Sequence, residues 1–127
     1  MSVLVTGGAG FIGSALVDLL VAGGHEVVVV DDLSTGSEAN LAGAMATGLV
    51  RLEVCDIRRP EVSDLIAEAS PEVVMHLAAQ ADVQASIDDP VNDAEVNVIG
   101  TIRVLDGARR AGTRKVVLAT SGGTLYG

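Results

Sequence analysis

The glycines between Val3 and Gly13, in the stretch VLVTGGAGFIG, are the residues of this chain whose spacing best suits chemistry. Gly8, Gly10 and Gly13 satisfy G-x-G-x-x-G, while Gly7, Gly10 and Gly13 give G-x-x-G-x-x-G behind Thr6. Both registers suit a phosphate-binding turn. An early glycine permits the tight reversal, Gly10 admits a diphosphate to the backbone without a Cβ in its way, and Gly13 lets the next helix pack close to the strand. Free N–H groups at the helix start, from Phe11, Ile12 and Gly13, then face the phosphates. A glycine motif alone is weak evidence, because such turns occur in many folds for conformational reasons.

The flanking elements strengthen it. Val3, Leu4 and Val5 form a short aliphatic run, and Ile12, Leu16, Leu19 and Leu20 recur at helical spacing, so the period changes across the glycines from strand to helix. After Gly23-Gly24, the run Glu26–Val30 reads as a buried parallel strand ending in Asp31, eighteen residues beyond Gly13. That carboxylate can accept both ribose hydroxyls of an adenosine and would repel a 2′-phosphate. No Arg or Lys precedes Arg51, so NAD is expected in preference to NADP, with the diphosphate held by backbone N–H groups and the helix dipole. The competing reading is that Asp31 merely ends a strand.

At 127 residues and 49% hydrophobic content, the chain reads as one domain, 1–127, with a sheet covered by helices. A net charge of −9 without a basic cluster argues against nucleic-acid or anionic-membrane partners. Cys55 is the single cysteine and reads as a buried inert thiol, which implies a reducing cytoplasm. No apolar run approaches membrane-spanning length and no leader is evident, so a cytoplasmic protein is expected. No metal site is assigned.

The loop Asp32–Ser37, DLSTGS, either wraps the adenosine side of a dinucleotide or is a solvated turn. A short helix around Ala39–Met45 and a third strand from Leu49 to Val54 follow. Asp56 and Ile57, just beyond that strand, could meet an adenine amino group and the ring face. Pro60 could open a helix with Val62, Leu65, Ile66 and Ala69 on one stripe, ended by Pro71. The fourth strand, Glu72–His76, runs into Leu77, Ala78, Ala79 and Gln80, whose small residues leave room for a ligand. His76 reads as a hydrogen-bonded structural residue, with no chemistry assigned. A long helix is predicted from after Pro90 to about Ala111, with Ala94, Val98, Ile102 and Leu105 on one stripe and Val91, Val96 and Ile99 spreading apolar character further round. Gly112 terminates it, and Lys115–Ala119 forms a fifth strand. The expected architecture is α/β: a three-layer, doubly wound parallel sheet in order 3-2-1-4-5, with right-handed crossovers and a ligand at the carboxyl ends of the strands.

Taken together, TGGAGFIGS (Thr6–Ser14), DDLSTG (Asp31–Gly36), Asp56-Ile57, HLAAQADVQASIDDP (His76–Pro90), NVIGT (Asn97–Thr101) and SGGTLYG (Ser121–Gly127) strongly resemble one family. It is the extended branch of the short-chain dehydrogenase/reductases, with its Rossmann fold, and within it the nucleotide-sugar epimerases of the UDP-glucose 4-epimerase type. The resemblance covers all 127 residues. It implies NAD contacts from Gly7 to Gly13, from Asp31, Asp32, Thr35 and Gly36, from Asp56 and Ile57, from Leu77 to Gln80, and from Asn97. It also implies epimerisation of a nucleotide sugar by transient hydride transfer to NAD, and a dimer-forming helical bundle, hence a homo-oligomer.

Two departures stand out. The family carries a Ser or Thr four residues before the tyrosine that matches Tyr126, but the position here is Gly122; Thr120, Ser121 or Thr124 is left to supply that hydroxyl. The family's catalytic Tyr-x-x-x-Lys and sugar-binding part are not matched within these residues, so the chain reads as a truncated NAD-binding portion, inactive alone. Alternatives are a dehydratase or reductase of the same family, or a non-catalytic dinucleotide-binding module.

Overall fold

The structure is a computed structural model that describes residues 1–80 and 82–120. Five strands, β1 (Ser2–Thr6), β2 (Glu26–Asp31), β3 (Val50–Val54), β4 (Val73–His76) and β5 (Lys115–Leu118), form one parallel sheet in the order β3-β2-β1-β4-β5. This is the predicted order. The register sets Thr6 beside both Val30 and His76, so the carboxyl ends of the central strands finish at one level.

Alternation along the strands builds two cores. Val3, Val5, Val27 and Val29 point to one face, where Val17 of α1 (Phe11–Ala22), Leu41 at the end of a 3-10 turn (Glu38–Leu41) and Ala44 of α2 (Ala42–Met45) cover them. Leu4, Val30 and Val74 point to the other, under Val62 and Ile66 of α3 (Glu61–Ala69) and Val104 and Ala108 of α6 (Gly100–Ala111). Both faces of the central strands are therefore dry, which is why they read as unbroken β-branched runs. Each fully buried aliphatic side chain contributes about 1.5–3 kcal/mol relative to an exposed one.

Helix ends follow backbone chemistry. Ser70, at φ 47°, ends α3 just ahead of Pro71, and Gly112, at φ 72°, ends α6. Asp82 caps α4 (Val83–Asp88), a short helix that the sequence pattern did not reveal, by accepting the N–H of Gln84 and Ala85. Asp89 then caps α5 (Pro90–Ala94). The predicted long helix from Pro90 to Ala111 exists but is interrupted: Glu95–Ile99 winds as a π-helical turn, with Gly100 N–H reaching the carbonyl of Glu95.

Two apolar stripes differ from expectation. On α1 the side facing the sheet is Gly13, Leu16, Val17 and Leu20, while Ile12 and Leu19 are each 72% exposed. On the long helix the buried face is Gly100, Val104, Gly107 and Ala108, so that Val98, Ile102 and Leu105 point outward. The reason is close approach. A Cβ on Gly107 would stand 2.8 Å from Ile66 Cβ, and one on Gly100 would stand 2.7 Å from Ile57 Cδ1. Small residues bring α6 against α3 and the sheet, and the larger aliphatics are left on the opposite side.

Candidate functional site

The loops that follow the strand ends enclose a cleft of about 770 Å³, within the size range of ligand sites. Gly7, Gly10, Phe11, Ile12 and Gly13 line one wall; Asp31, Asp32 and Thr35 come from the end of β2; Asp56 and Ile57 follow β3; Leu77, Ala78, Ala79 and Gln80 follow β4. Of the residues given as cofactor contacts from sequence, Gly8, Ala9, Gly36 and Asn97 do not line it. Ser121, Gly122, Thr124 and Tyr126 lie outside the described residues.

The glycine turn resolves into roles. Gly7, at φ 70°, turns the chain, and a Cβ there would stand 2.9 Å from Ala78 N. Gly8 faces inward, where a Cβ would meet Val29 Cγ1 at 2.7 Å, so the register that lines the cleft is Gly7, Gly10, Gly13. At Gly13 a Cβ would collide with the Gly7 carbonyl and stand 2.8 Å from Gly8 Cα. Gly10 differs: its Cβ would meet only Gly7 O, at 3.4 Å, and its backbone is extended. Among the described residues, protein packing does not require a glycine there. Gly10 caps α1 without a side chain, and Ser14 N–H is the first to bond back to its carbonyl, at 2.9 Å. The preceding N–H groups open onto the cleft.

Asp31 sits at the edge of that turn. Its Oδ2 accepts Ala9 N–H at 3.0 Å and its Oδ1 accepts Leu33 N–H at 2.8 Å, the latter helping hold Leu33 at φ 62°. A carboxylate offers about four acceptor directions, so roughly two remain for a diol. The Ala9 carbonyl in turn accepts Ser37 N–H at 3.1 Å and Asn40 Nδ2 at 2.9 Å, and Gly36 packs on Ala9, its would-be Cβ 2.8 Å from the carbonyl carbon. Gly36 thus docks the loop after β2 against the glycine turn.

Asp56 is differently placed. Its carboxylate accepts the Arg58 main-chain N–H at 2.9 Å, Nε at 3.0 and 2.9 Å, and Nη2 at 2.6 Å. Hydrogen bonding from Arg58, the largest cause, holds its pKa below the usual carboxylate range. An adenine amino group would have to compete with Arg58 for it. Arg58, which sequence reasoning missed, also lines the cleft and donates Nη1 to Asn92 Oδ1 at 2.6 Å. Although no Arg or Lys precedes Arg51, the fold thus brings a cation to the cleft, its guanidinium already committed to Asp56 and Asn92. Its position directly after Asp56-Ile57 was the available signal. Ile57, 6% exposed, shows the cleft an edge and packs mainly in the core. Cys55 is half-buried in the cleft wall, not fully buried as expected; burial raises its pKa above the ordinary thiol value and keeps it protonated.

Asn97, on the π-helical turn, grips Gln80 from behind. Its Oδ1 accepts Gln80 N–H and its Nδ2 donates to Gln80 C=O, both at 2.8 Å, so it shapes the cleft without facing it. His76 is buried between Thr6 and Thr101, as a hydrogen-bonded structural residue should be.

Comparison with known proteins agrees with this geometry. The profile of the NAD dependent epimerase/dehydratase family matches residues 3–127. A UDP-glucose 4-epimerase of Mycolicibacterium smegmatis is 53% identical over 127 residues, which are 100% of this chain and 41% of that protein. Among solved structures, the UDP-glucose 4-epimerase of Thermus thermophilus in complex with NAD is 45% identical, with a TM-score of 0.86 over 96% of this chain and 38% of that one. That of Thermotoga maritima with UDP-glucose is 40% identical, with a TM-score of 0.88 over 97% and 38%. The chain spans about two fifths of the length of the curated relatives it matches.

Proposed function

The chain belongs to the NAD dependent epimerase/dehydratase family, and from that membership we propose that it is the NAD-binding portion of a nucleotide-sugar 4-epimerase of the UDP-glucose type, with residues 1–127 forming one cofactor-binding unit. The observation that supports this reading is the pairing on one cleft of Gly10, where a Cβ would meet only Gly7 O among the described residues, with Asp31, whose carboxylate keeps acceptor directions free. The open N–H groups at the start of α1 meet the diphosphate, Asp31 takes the ribose hydroxyls, and Leu77–Gln80 walls the nicotinamide side. When bound, NAD supplies a reversible two-electron acceptor for the sugar carbon.

Titration calorimetry tests it: NAD binds, and NADP binds more weakly because a 2′-phosphate meets Asp31 while Arg58 is held by Asp56. Equal or tighter NADP binding, or no NAD binding, overturns the reading. Turnover of UDP-glucose by these 127 residues is not expected, since among the described residues no tyrosine or lysine lines the cleft to take a hydroxyl proton. The second reading, a dehydratase or reductase, is favoured by the breadth of the family itself, and product analysis on the whole enzyme separates the two.

A homo-oligomer is supported by the apolar residues that α5, the π-helical turn and α6 leave outward, among them Val91, Val98 and Ile102, at 67, 54 and 55% exposure. A cytoplasmic setting and membership of the short-chain dehydrogenase/reductases belong to the same proposal, the former supported by the free Cys55. Among the described residues no helix is long and apolar enough to cross a membrane.

A further inference from the structure

Beneath the cleft, His76 joins β1, β4 and α6 through two hydroxyls. Its Nδ1 lies 2.6 Å from Thr6 Oγ1 and its Nε2 lies 3.0 Å from Thr101 Oγ1. The direction of each bond is fixed by what the hydroxyls do elsewhere. Thr6 Oγ1 accepts the main-chain N–H groups of Leu77 and Ala78, each at 3.1 Å, the Leu77 N–H being shared with the Thr6 carbonyl at 3.2 Å. With both lone pairs engaged, its one proton goes to Nδ1. Thr101 donates its proton to the Asn97 carbonyl at 2.8 Å, and so accepts from Nε2–H. Two independent ends demand the same neutral tautomer, with the proton on Nε2.

We infer that His76 is a positioning residue of the cleft: by taking the Thr6 proton as the neutral Nε2–H tautomer, it leaves both Thr6 lone pairs to the Leu77 and Ala78 amides and so sets the loop that walls the ligand. The far end of the same chain of bonds reaches Asn97, whose side chain holds Gln80 at both its N–H and its C=O. The loop is thereby held at its beginning and its end by groups that share one histidine. A second proton on Nδ1 would face a hydroxyl with no lone pair free, so Thr6 would have to turn and release an amide. The side chains meeting the ring nitrogens from β1 and α6 are these two uncharged hydroxyls, and burial alone lowers the pKa of His76. The consequence for NAD affinity rests on the cofactor reading above; the tautomer and the amide bonds do not.

Nitrogen-15 NMR of the full chain reads the tautomer directly, with His25, the other histidine, as internal control. Nε2 is expected protonated and Nδ1 bare, and the reverse tautomer or rapid exchange between the two overturns the inference. Amide hydrogen exchange then follows the loop. Substituting His76→Leu should lower the protection of Ala78 about tenfold, relative to Val29 and with Leu77 still held by the Thr6 carbonyl, and weaken NAD binding by a similar factor. Substituting His76→Asn, whose side-chain oxygen still accepts from Thr6, should restore both to within about threefold. Thr6→Val, which keeps the side-chain shape, is expected to match the leucine variant and gives the result should that variant not fold. Unchanged protection in the leucine and valine variants overturns the inference. Failure of the unmodified chain to bind NAD would instead overturn the cofactor reading, leaving the tautomer and exchange results to decide this one.

Discussion

Asp31 Oδ2 accepts the main-chain N–H of Ala9 at 3.0 Å, tying the end of β2 to the middle of the glycine turn. The carboxylate read as the ribose acceptor is thus also a strut of the phosphate turn. Its removal should act on both.

Asp31→Ala is expected to cost about 1.5–3 kcal/mol of stability, the range for a hydrogen bond to a charged group, and to narrow the preference for NAD over NADP. Urea unfolding and titration calorimetry on the same sample measure the two effects. A variant of unchanged stability would show that Ala9 and Leu33 find other partners at no cost.

Gly10→Ala and Gly13→Ala should separate ligand from fold. At Gly13 the new methyl runs into Gly7 and Gly8, and destabilisation of about 1–3 kcal/mol or more is expected. At Gly10 the methyl has room in the protein, so the melting temperature should hold while NAD binding falls at least about tenfold. Thermal melts with and without NAD distinguish them; equal loss of stability in both variants would remove the argument that Gly10 serves a ligand.

Much of this was legible in the residues themselves. The five strands and their order follow from aliphatic runs separated by crossover-length segments, and the turn was marked by glycines at fixed spacing. Less legible was which side of the long helix faces inward. Gly100, Gly107 and Ala108 form the contact because they are small, and a hydrophobic pattern gives such residues little weight. The adjacency of Arg58 to Asp56-Ile57 was visible, but its bond to Asn92, 34 positions away, is a pairing that only the fold creates. For Asn97 and Gly36 the family resemblance implied cofactor contact, and only the fold shows the loop-holding contacts they also make.

Stability should depend on pH through His76. Its native pKa is lowered by burial, so the unfolded chain binds the extra proton first. Stability is undiminished above the ordinary histidine value, falls as pH drops below it, and stops falling from this cause once the native pKa is passed. Asp56, with its lowered pKa, adds a stabilising contribution that is complete above the usual carboxylate value and is lost as pH falls through the native one. Urea midpoints measured from pH 8 to 4 should show the histidine step, and it should vanish in His76→Asn. A wild-type profile flat through the histidine range would count against the assignment.

The chain should self-associate through its outward apolar stripe. Covering on the order of several hundred Å² of apolar surface at about 25 cal/mol per Å² supplies several kcal/mol before association entropy is subtracted. The net charge of −9 opposes this weakly once salt screens it. Light scattering at micromolar concentration should give a mass above the monomer, and Ile102→Lys with Val98→Lys should return it to monomer. A monomeric wild type would refute the prediction.

The π-helical turn at Glu95–Ile99 can be regarded as one surplus residue in an otherwise ordinary helix. Deleting Val98 or Ile99 there would yield a more regular element with better hydrogen bonds. It would also rotate everything before the deletion by about 100° relative to everything after it, since each residue occupies that arc. Asn97 and Thr101 would then no longer address Gln80 and His76 from the same side of the helix. In evolutionary terms the irregularity resists repair: the shorter, locally better helix lies one deletion away, and reaching it means releasing the loop at the mouth of the sheet.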